Sequence, residues 1–426
     1  MKQTLLKLRE YIQNGFLYSF GASVVNKIVS FVSGVIIVRI LTQSDYGLLG
    51  ISTNIFSIAV LFAGFGISSG LLQFCAEKRE ENEKRGIYKY TNSIGIITCL
   101  FLAIVMYYYA EFNINHVEES AIYIKFSSLL PLFYFLYNNE TLYLRAYKRI
   151  KEYTRVLNAN TILYALFSVL FGLYYGIAGV IAGRYLAYIL SFFIGYHYIK
   201  INPISFKYRQ LVAKQLKREI WSFSIMSGVA SAINQLVYLI DINMITTMLQ
   251  DSSLVAIYKV ATLIPESLNI IPSSLFVVVI PYFALHLGDK EWVSSNTKKI
   301  IGLLGLVNFV IVSILLIFAP LIITVLWKEE YLDAVTPFRI LSINYFFLGT
   351  FRLTSTQILA SQRNAKANML ISIATLFSNI IFDFVFIQIW GINGAALATL
   401  AVVLVSCILQ IPEMYKVLKP VDCLKD

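Results

Sequence analysis

The sequence predicts an all-α polytopic membrane protein. Twelve transmembrane helices are expected in two pseudo-symmetric six-helix bundles, a parallel repeat around a central cavity, with both termini cytoplasmic. Three observations carry this prediction. The 426-residue chain is 58% hydrophobic and 14% charged, with mean hydropathy +0.70; a soluble domain holds about 45–50% apolar and about 25% charged residues. Apolar runs long enough to span a bilayer, which takes about 20 residues as helix, alternate with short loops whose charge alternates. The first half of the chain also recurs in the second.

The spans fall near 14–38, 46–75, 90–110, 120–143, 154–175, 177–199, 220–247, 253–284, 299–323, 336–359, 368–389 and 392–415. The polar segment Met1 to Glu10, with Lys2, Lys7 and Arg9, precedes an apolar run too long for a signal-peptide core, so the first span reads as an uncleaved helix. Spans one and two are separated only by Thr42-Gln43-Ser44-Asp45. The loops around Glu77–Arg85, Arg145–Lys151, Lys200–Arg218, Lys290–Lys299, Arg363–Lys366 and Lys416–Lys425 are basic. With the N-terminus and the flanking Lys89 and Arg155, that side carries 27 of the 35 Lys and Arg residues, which makes it cytoplasmic. The opposite loops, such as Glu111–Glu119, Gln250-Asp251 and Glu329–Asp333, are short and neutral or acidic. No loop could hold a soluble domain. The longest suggests a basic linker over 200–219 between bundles 1–199 and 220–426, either interfacial or purely topogenic.

The repeat rests on three matches. Tyr46-Gly47-Leu48-Leu49 aligns with Val255-Ala256-Ile257-Tyr258, Arg149 with Arg363, and Tyr175-Gly176-Ile177-Ala178-Gly179 with Trp390-Gly391-Ile392-Asn393-Gly394. The offsets are 209, 214 and 215 residues. An even number of spans per repeat keeps the halves in one orientation, as in transporters built from parallel repeats.

Eight basic residues lie off the cytoplasmic loops: Lys27, Arg39, Lys125, Arg184, Lys259, Lys328, Arg339 and Arg352. Arg39, Lys125, Lys328 and Arg339 sit near outer span ends and can snorkel. Lys27, Arg184, Lys259 and Arg352 are deeper, where a cation costs about 2.5–3.5 kcal/mol on insertion scales and normally faces the bundle interior or a water-filled cavity. Three deep acids are expected, Asp241, Glu266 and Asp383, all in the second half. Lys259 and Glu266, seven apart, share a helix face. The first half is expected to offer Lys27 and Arg184 no deep acid. They either pair across the halves or face an anion that is not protein. Lys27 aligns with the uncharged Leu236, so the repeat does not require it. The three acids are either counter-ions or proton carriers suited to ion-coupled antiport. Pro265 and Pro272 are expected to break the eighth span.

Catalytic signals are poor. His116, His197 and His286 have no ligand partner at useful spacing, and Cys75, Cys99, Cys407 and Cys423 show no metal or redox motif. There is no GxSxG, Walker A or HExxH. The net charge of +11 is topogenic rather than a nucleic-acid footprint.

The junction Arg39-Ile40-Leu41…Asp45-Tyr46-Gly47, the loop Arg145-Ala146-Tyr147-Lys148-Arg149-Ile150 and Tyr175-Gly176-Ile177-Ala178-Gly179 resemble the polysaccharide-biosynthesis flippases. These are the Wzx-type O-antigen and capsule repeat-unit transporters of the multidrug/oligosaccharidyl-lipid/polysaccharide exporter superfamily. The resemblance covers essentially the whole chain. It implies movement of an undecaprenyl-diphosphate-linked oligosaccharide across the inner membrane by alternating access, with proton or sodium coupling and no other cofactor. Lys27, Arg184, Lys259 and Arg352 fit a diphosphate-binding cavity, with Arg39 at its outer mouth. Expected partners are the lipid-linked oligosaccharide, membrane lipids, and the polymerase and glycosyltransferases of the pathway. A multidrug/cation antiporter of the related branch would have an acidic cavity. A membrane glycosyltransferase or polymerase would have a large extracytoplasmic loop, which is not present.

Overall fold

The computed structural model describes residues 16–201 and 212–418. The basic N-terminal segment, residues 202–211 of the linker and 419–426, including Cys423, lie outside the described residues. Everything regular among the described residues is helical. In lipid each backbone donor needs a partner within its own segment, and a helix provides it. Among the described residues, eight helices are long and apolar enough to cross a membrane, or nine if a bent pair within Lys214–Leu249 counts as one. The chain forms two compact units, Met1–Gln235 and Leu236–Asp426.

The first unit contains α1 (Phe16–Ile40), α2 (Gln43–Phe62), α3 (Ile67–Ala76), α4 (Glu81–Glu111), α5 (Ala121–Ser127), α6 (Leu130–Ala146), α7 (Ile150–Ile199) and the first part of α8 (Lys214–Leu249). The polar break after α1 is a helix cap. The Thr42 hydroxyl accepts the Asp45 N–H at 3.2 Å, and Asp45 adds negative charge to the first turn of α2. Between α2 and α3 the chain kinks through Gly64, Phe65 and Gly66, with φ of 66°, 48° and 80°. Gly66 meets two demands. Its φ favours glycine, and a Cβ there would lie 2.3 Å from the Ser224 carbonyl oxygen and 2.6 Å from Gly228 Cα. Helix α6 packs on α3, α4 and α7, and α1 packs on α7. The Asn26 amide fastens α1 to α7 through Asn158 at 2.9 Å.

Helix α7 has 50 residues, and as a straight rod would run about 75 Å, more than twice a hydrocarbon core. It reverses instead at Gly176, φ 56° and ψ −136°. Ser168 donates to the Val180 carbonyl at 3.4 Å and Asn160 to Ser191 at 3.1 Å, so the two arms are antiparallel. Gly179 lets them close, because a Cβ would sit 2.0 Å from the Phe171 carbonyl oxygen.

The second unit holds the rest of α8, then α9 (Ser252–Ser267), α10 (Ile270–Leu285), α11 (Lys290–Trp327), α12 (Val335–Phe347), α13 (Leu353–Ser361) and α14 (Ala365–Leu418). The expected break is present at Leu268-Asn269, after Pro265 at the end of α9. Pro272 falls in the first turn of α10, where no amide hydrogen is needed. A π-helical turn, Leu348–Arg352, joins α12 to α13. Helix α14 reverses at Gly391, φ 56° and ψ −133°, and a Cβ on Gly394 would meet the Phe386 carbonyl oxygen at 1.9 Å.

A second local structure recurs with the same offset. After α6, the N–H groups of Tyr147, Lys148 and Arg149 donate to the carbonyls of Tyr143, Arg145 and Leu144, with Lys148 at φ 56°. After α13, those of Gln362, Arg363 and Asn364 donate to Ile358, Ala360 and Leu359, with Arg363 at φ 63°. Arg363 therefore takes the turn position of Lys148, one residue before the Arg149 with which the sequence pairs it.

Candidate functional site

Arg184 lies on the second arm of α7 and is half-buried. Its Nη2 donates to the Tyr164 hydroxyl at 2.7 Å, and its guanidinium stands over the rings of Phe56 at 5.5 Å and Tyr164 at 5.0 Å. One turn on, Tyr188 stacks on Tyr137 at 5.8 Å and meets Tyr134 edge-on at 5.6 Å. Residues from α2, α6 and α7 thus build an aromatic patch with one cation on it. A planar guanidinium suits this, since it stacks on rings while its other N–H groups stay available to an oxyanion. Among the described residues, none of the partners of Arg184 is a carboxylate.

Lys27 is exposed on α1 and makes no hydrogen bond or ion pair among the described residues, while the adjacent Asn26 is the one bound to α7. Arg39 is exposed in the last turn of α1, where a cation complements the helix dipole. Lys125 forms an ion pair with Glu111.

In the second unit the structure brings together two of the expected acids. Asp241 on α8 and Asp383 on α14 are both buried. Asp241 Oδ2 accepts from Tyr258 at 2.7 Å and from Thr399 at 2.6 Å, and its Oδ1 accepts from the Asn379 amide at 3.1 Å. The same amide donates to Asp383 Oδ2 at 3.0 Å. Asp383 Oδ1 and Asn379 Oδ1 are buried and accept no hydrogen bond. An all-oxygen set with two acids and two open acceptors is the chemistry of a hard cation or a proton. Asp241, Tyr258, Thr399 and the exposed Glu266 line a cavity of about 50 Å³. That is room for a small ion or a few waters and nothing larger. Half-buried Lys259, on α9, is not among its lining residues. Neither is half-buried Arg352, which ends the π-turn beside the Cys407 thiol.

The structure corrects the expectation of no deep acid in the first half. Glu140 on α6 is fully buried. Glu140 lies inside the span expected over 120–143, three residues from its inner end. The helix runs to Ala146, and its buried face includes Asn139, Glu140 and Tyr143. The hydrogen-bond donors Tyr258, Asn379 and Thr399 are not marked by any sequence motif. The one available signal was Asn379 four residues before Asp383, on one helix face.

The chain belongs to the polysaccharide biosynthesis protein family, whose model matches residues 12–285. It is 23% identical over 402 residues to an uncharacterized membrane protein of Methanocaldococcus jannaschii, covering 88% of this chain and 78% of that one. Its fold is that of transporters of the MOP superfamily. The lipid II flippase MurJ, in an inward closed conformation, superposes with TM-score 0.73 at 18% identity over 93% of this chain and 87% of that one. An inward-facing multidrug resistance MATE family transporter of that superfamily does so with TM-score 0.73 at 12% identity, over 92% and 95%. The protein is a multi-pass membrane protein.

Proposed function

We propose that this protein is a flippase that moves undecaprenyl-diphosphate-linked oligosaccharide repeat units, of O-antigen, capsule or exopolysaccharide, from the cytoplasmic to the outer leaflet of the inner membrane. It works by alternating access and antiport of H⁺ or Na⁺. Family membership supports the class. The observation that carries the substrate is Arg184, a guanidinium on an aromatic patch with no carboxylate partner among the described residues. A diphosphate entering a low-dielectric space needs such a cation, and rings suit the flat faces of sugars. Lys27, Arg39, Lys259 and Arg352 add positive charge. Asp241 and Asp383 hold the coupling ion, with Glu266 on the wall of their cavity. The reversals at Gly176 and Gly391 support twelve crossings, since each divides one long helix into two. Pathway glycosyltransferases and the polymerase are its functional partners.

Arg184→Ala and Lys27→Ala should each abolish surface-glycan export in a flippase-null strain at normal levels of folded protein, with Arg184→Lys retaining part. Full complementation by both alanine variants overturns the reading. The MATE likeness favours a second reading, drug/cation antiport through the buried acids. A cavity of about 50 Å³ is too small for a drug. If that reading held, drug resistance rather than glycan export would follow Asp241→Asn.

A further inference from the structure

We propose that Glu140 is a proton-binding site of the first unit, a carboxyl that releases its proton when the second arm of α7 moves away and takes one up when the arm closes. The site is built by Gly195 on that arm. A Cβ there would lie 2.2 Å from Glu140 Oε2 and 3.2 Å from its Cβ and Cδ, so any other residue would push the carboxyl aside or hold the arm off. Glu140 is fully buried, and its polar neighbours are the Tyr88 hydroxyl and the Tyr196 main-chain N–H, neither of which closes a well-formed hydrogen bond to it. Tyr88 Oη and Asn92 Nδ2 beside it are likewise buried and make no well-formed hydrogen bond, with Tyr88 set between Asn92 and the carboxyl. This is not an ordinary structural acid, which would be tied to a cation or to several donors.

The surroundings offer a negative charge two neutral donors, the Tyr88 hydroxyl and the Tyr196 N–H, and no cation. Helix α4 turns Tyr88 toward the carboxyl, and α7 brings only Gly195 and the main chain at Tyr196. Cys75 on α3 is farther off, beside Tyr143, whose ring lies against that of Tyr88 at 4.7 Å. Helix α2 meets α6 through Phe56 against Tyr134, and the kink at Gly64 meets it through Phe135. Among the described residues no Lys, Arg or His acts on Glu140. With the arm closed, a carboxylate here would be enclosed with no cation and only two neutral donors beside it, a cost that a carboxylic acid does not carry. The step is COOH to COO⁻ plus H⁺, the proton passing to water. Water has a way near. Ser68, Asn138 and Gln235 line a cavity of about 250 Å³ in this unit, and Ser68 donates to Asn139 at 2.7 Å, which donates to Asn92 at 2.8 Å. The site is separate in residues from the Asp241–Asp383 pair, and proton binding at Glu140 does not depend on which substrate is carried.

The test is infrared spectroscopy of the full-length protein in lipid vesicles, following the acid carbonyl stretch as a function of pH. At neutral pH the wild type should show an acid band that persists in the Asp241→Asn/Asp383→Asn double variant and is missing in Glu140→Gln. Gly195→Ala, which wedges the arm off, should make the band disappear at lower pH than in the wild type. Identical carbonyl regions for wild type and Glu140→Gln at every pH overturn the site. A wild-type titration in Gly195→Ala overturns its coupling to the arm. An intact band with no glycan export would count against the substrate reading alone.

Discussion

The first unit carries a guanidinium, Arg184, and surrounds it with rings; the second carries two carboxylates, Asp241 and Asp383, and surrounds them with hydroxyl and amide donors. Both charges sit in apolar helical units, but their partners differ in kind. Rings shield a cation without neutralising it, so Arg184 keeps capacity for an anion. Three donors fix Asp241 in place, while Asp383 keeps an oxygen open. Similar local backbone, with reversals at Gly176 and Gly391, therefore frames opposite chemistry. The shared part is conformational, and the divergent part lies in side chains that face inward.

The largest expected effect tests the shared part. Gly179→Ala and Gly394→Ala each drive a Cβ into a main-chain carbonyl at about the same distance, 2.0 and 1.9 Å. Overpacking usually costs about 1–3 kcal/mol, and a backbone clash belongs at the upper end or beyond. Both variants should lose most monodisperse protein on size exclusion in detergent. A strong loss in one unit and none in the other would break the equivalence of the two hairpins.

A smaller effect probes the divergent part. Asp241→Asn removes a charged acceptor of three hydrogen bonds, each worth about 1.5–3 kcal/mol when charge-assisted. Asp383→Asn disturbs one such bond. Thermal melts should rank the variants in that order, and on the proposed coupling role a sodium-dependent shift of the wild-type melting temperature should be lost in both. Equal destabilisation would mean that the two acids are held alike. The smallest effect is at Lys125–Glu111, an exposed pair at the surface of the first unit. Glu111→Gln should leave the melting temperature and export unchanged, which separates surface charge from the charge of Arg184.

Much of this was legible beforehand. The twin glycines of Tyr175–Gly179 and Trp390–Gly394 marked both reversals, because φ and ψ there admit little else. Pro265 marked the break after α9. Asp241 and Asp383 were recognisable as deep acids, since both lie within apolar runs. Glu140 was not among them, although it lies inside the span expected over 120–143; that its face of α6 is covered is decided by the helices packed on it. The one-residue shift that equates Arg363 with Lys148 was also hidden. Two basic residues stand together there, and only the left-handed turn distinguishes them.

The sequence alone determined that this is a multi-pass helical membrane protein, where its helices turn, and which loops carry positive charge. Those are local quantities: hydropathy summed along a window, and backbone conformations that only certain residues allow. Tertiary structure decided that Asp241 and Asp383 share the Asn379 amide, that Arg184 rests on rings, and that Gly195 closes over Glu140. Those depend on which faces of distant helices meet. Packing sets that, and no periodicity along a single helix encodes it.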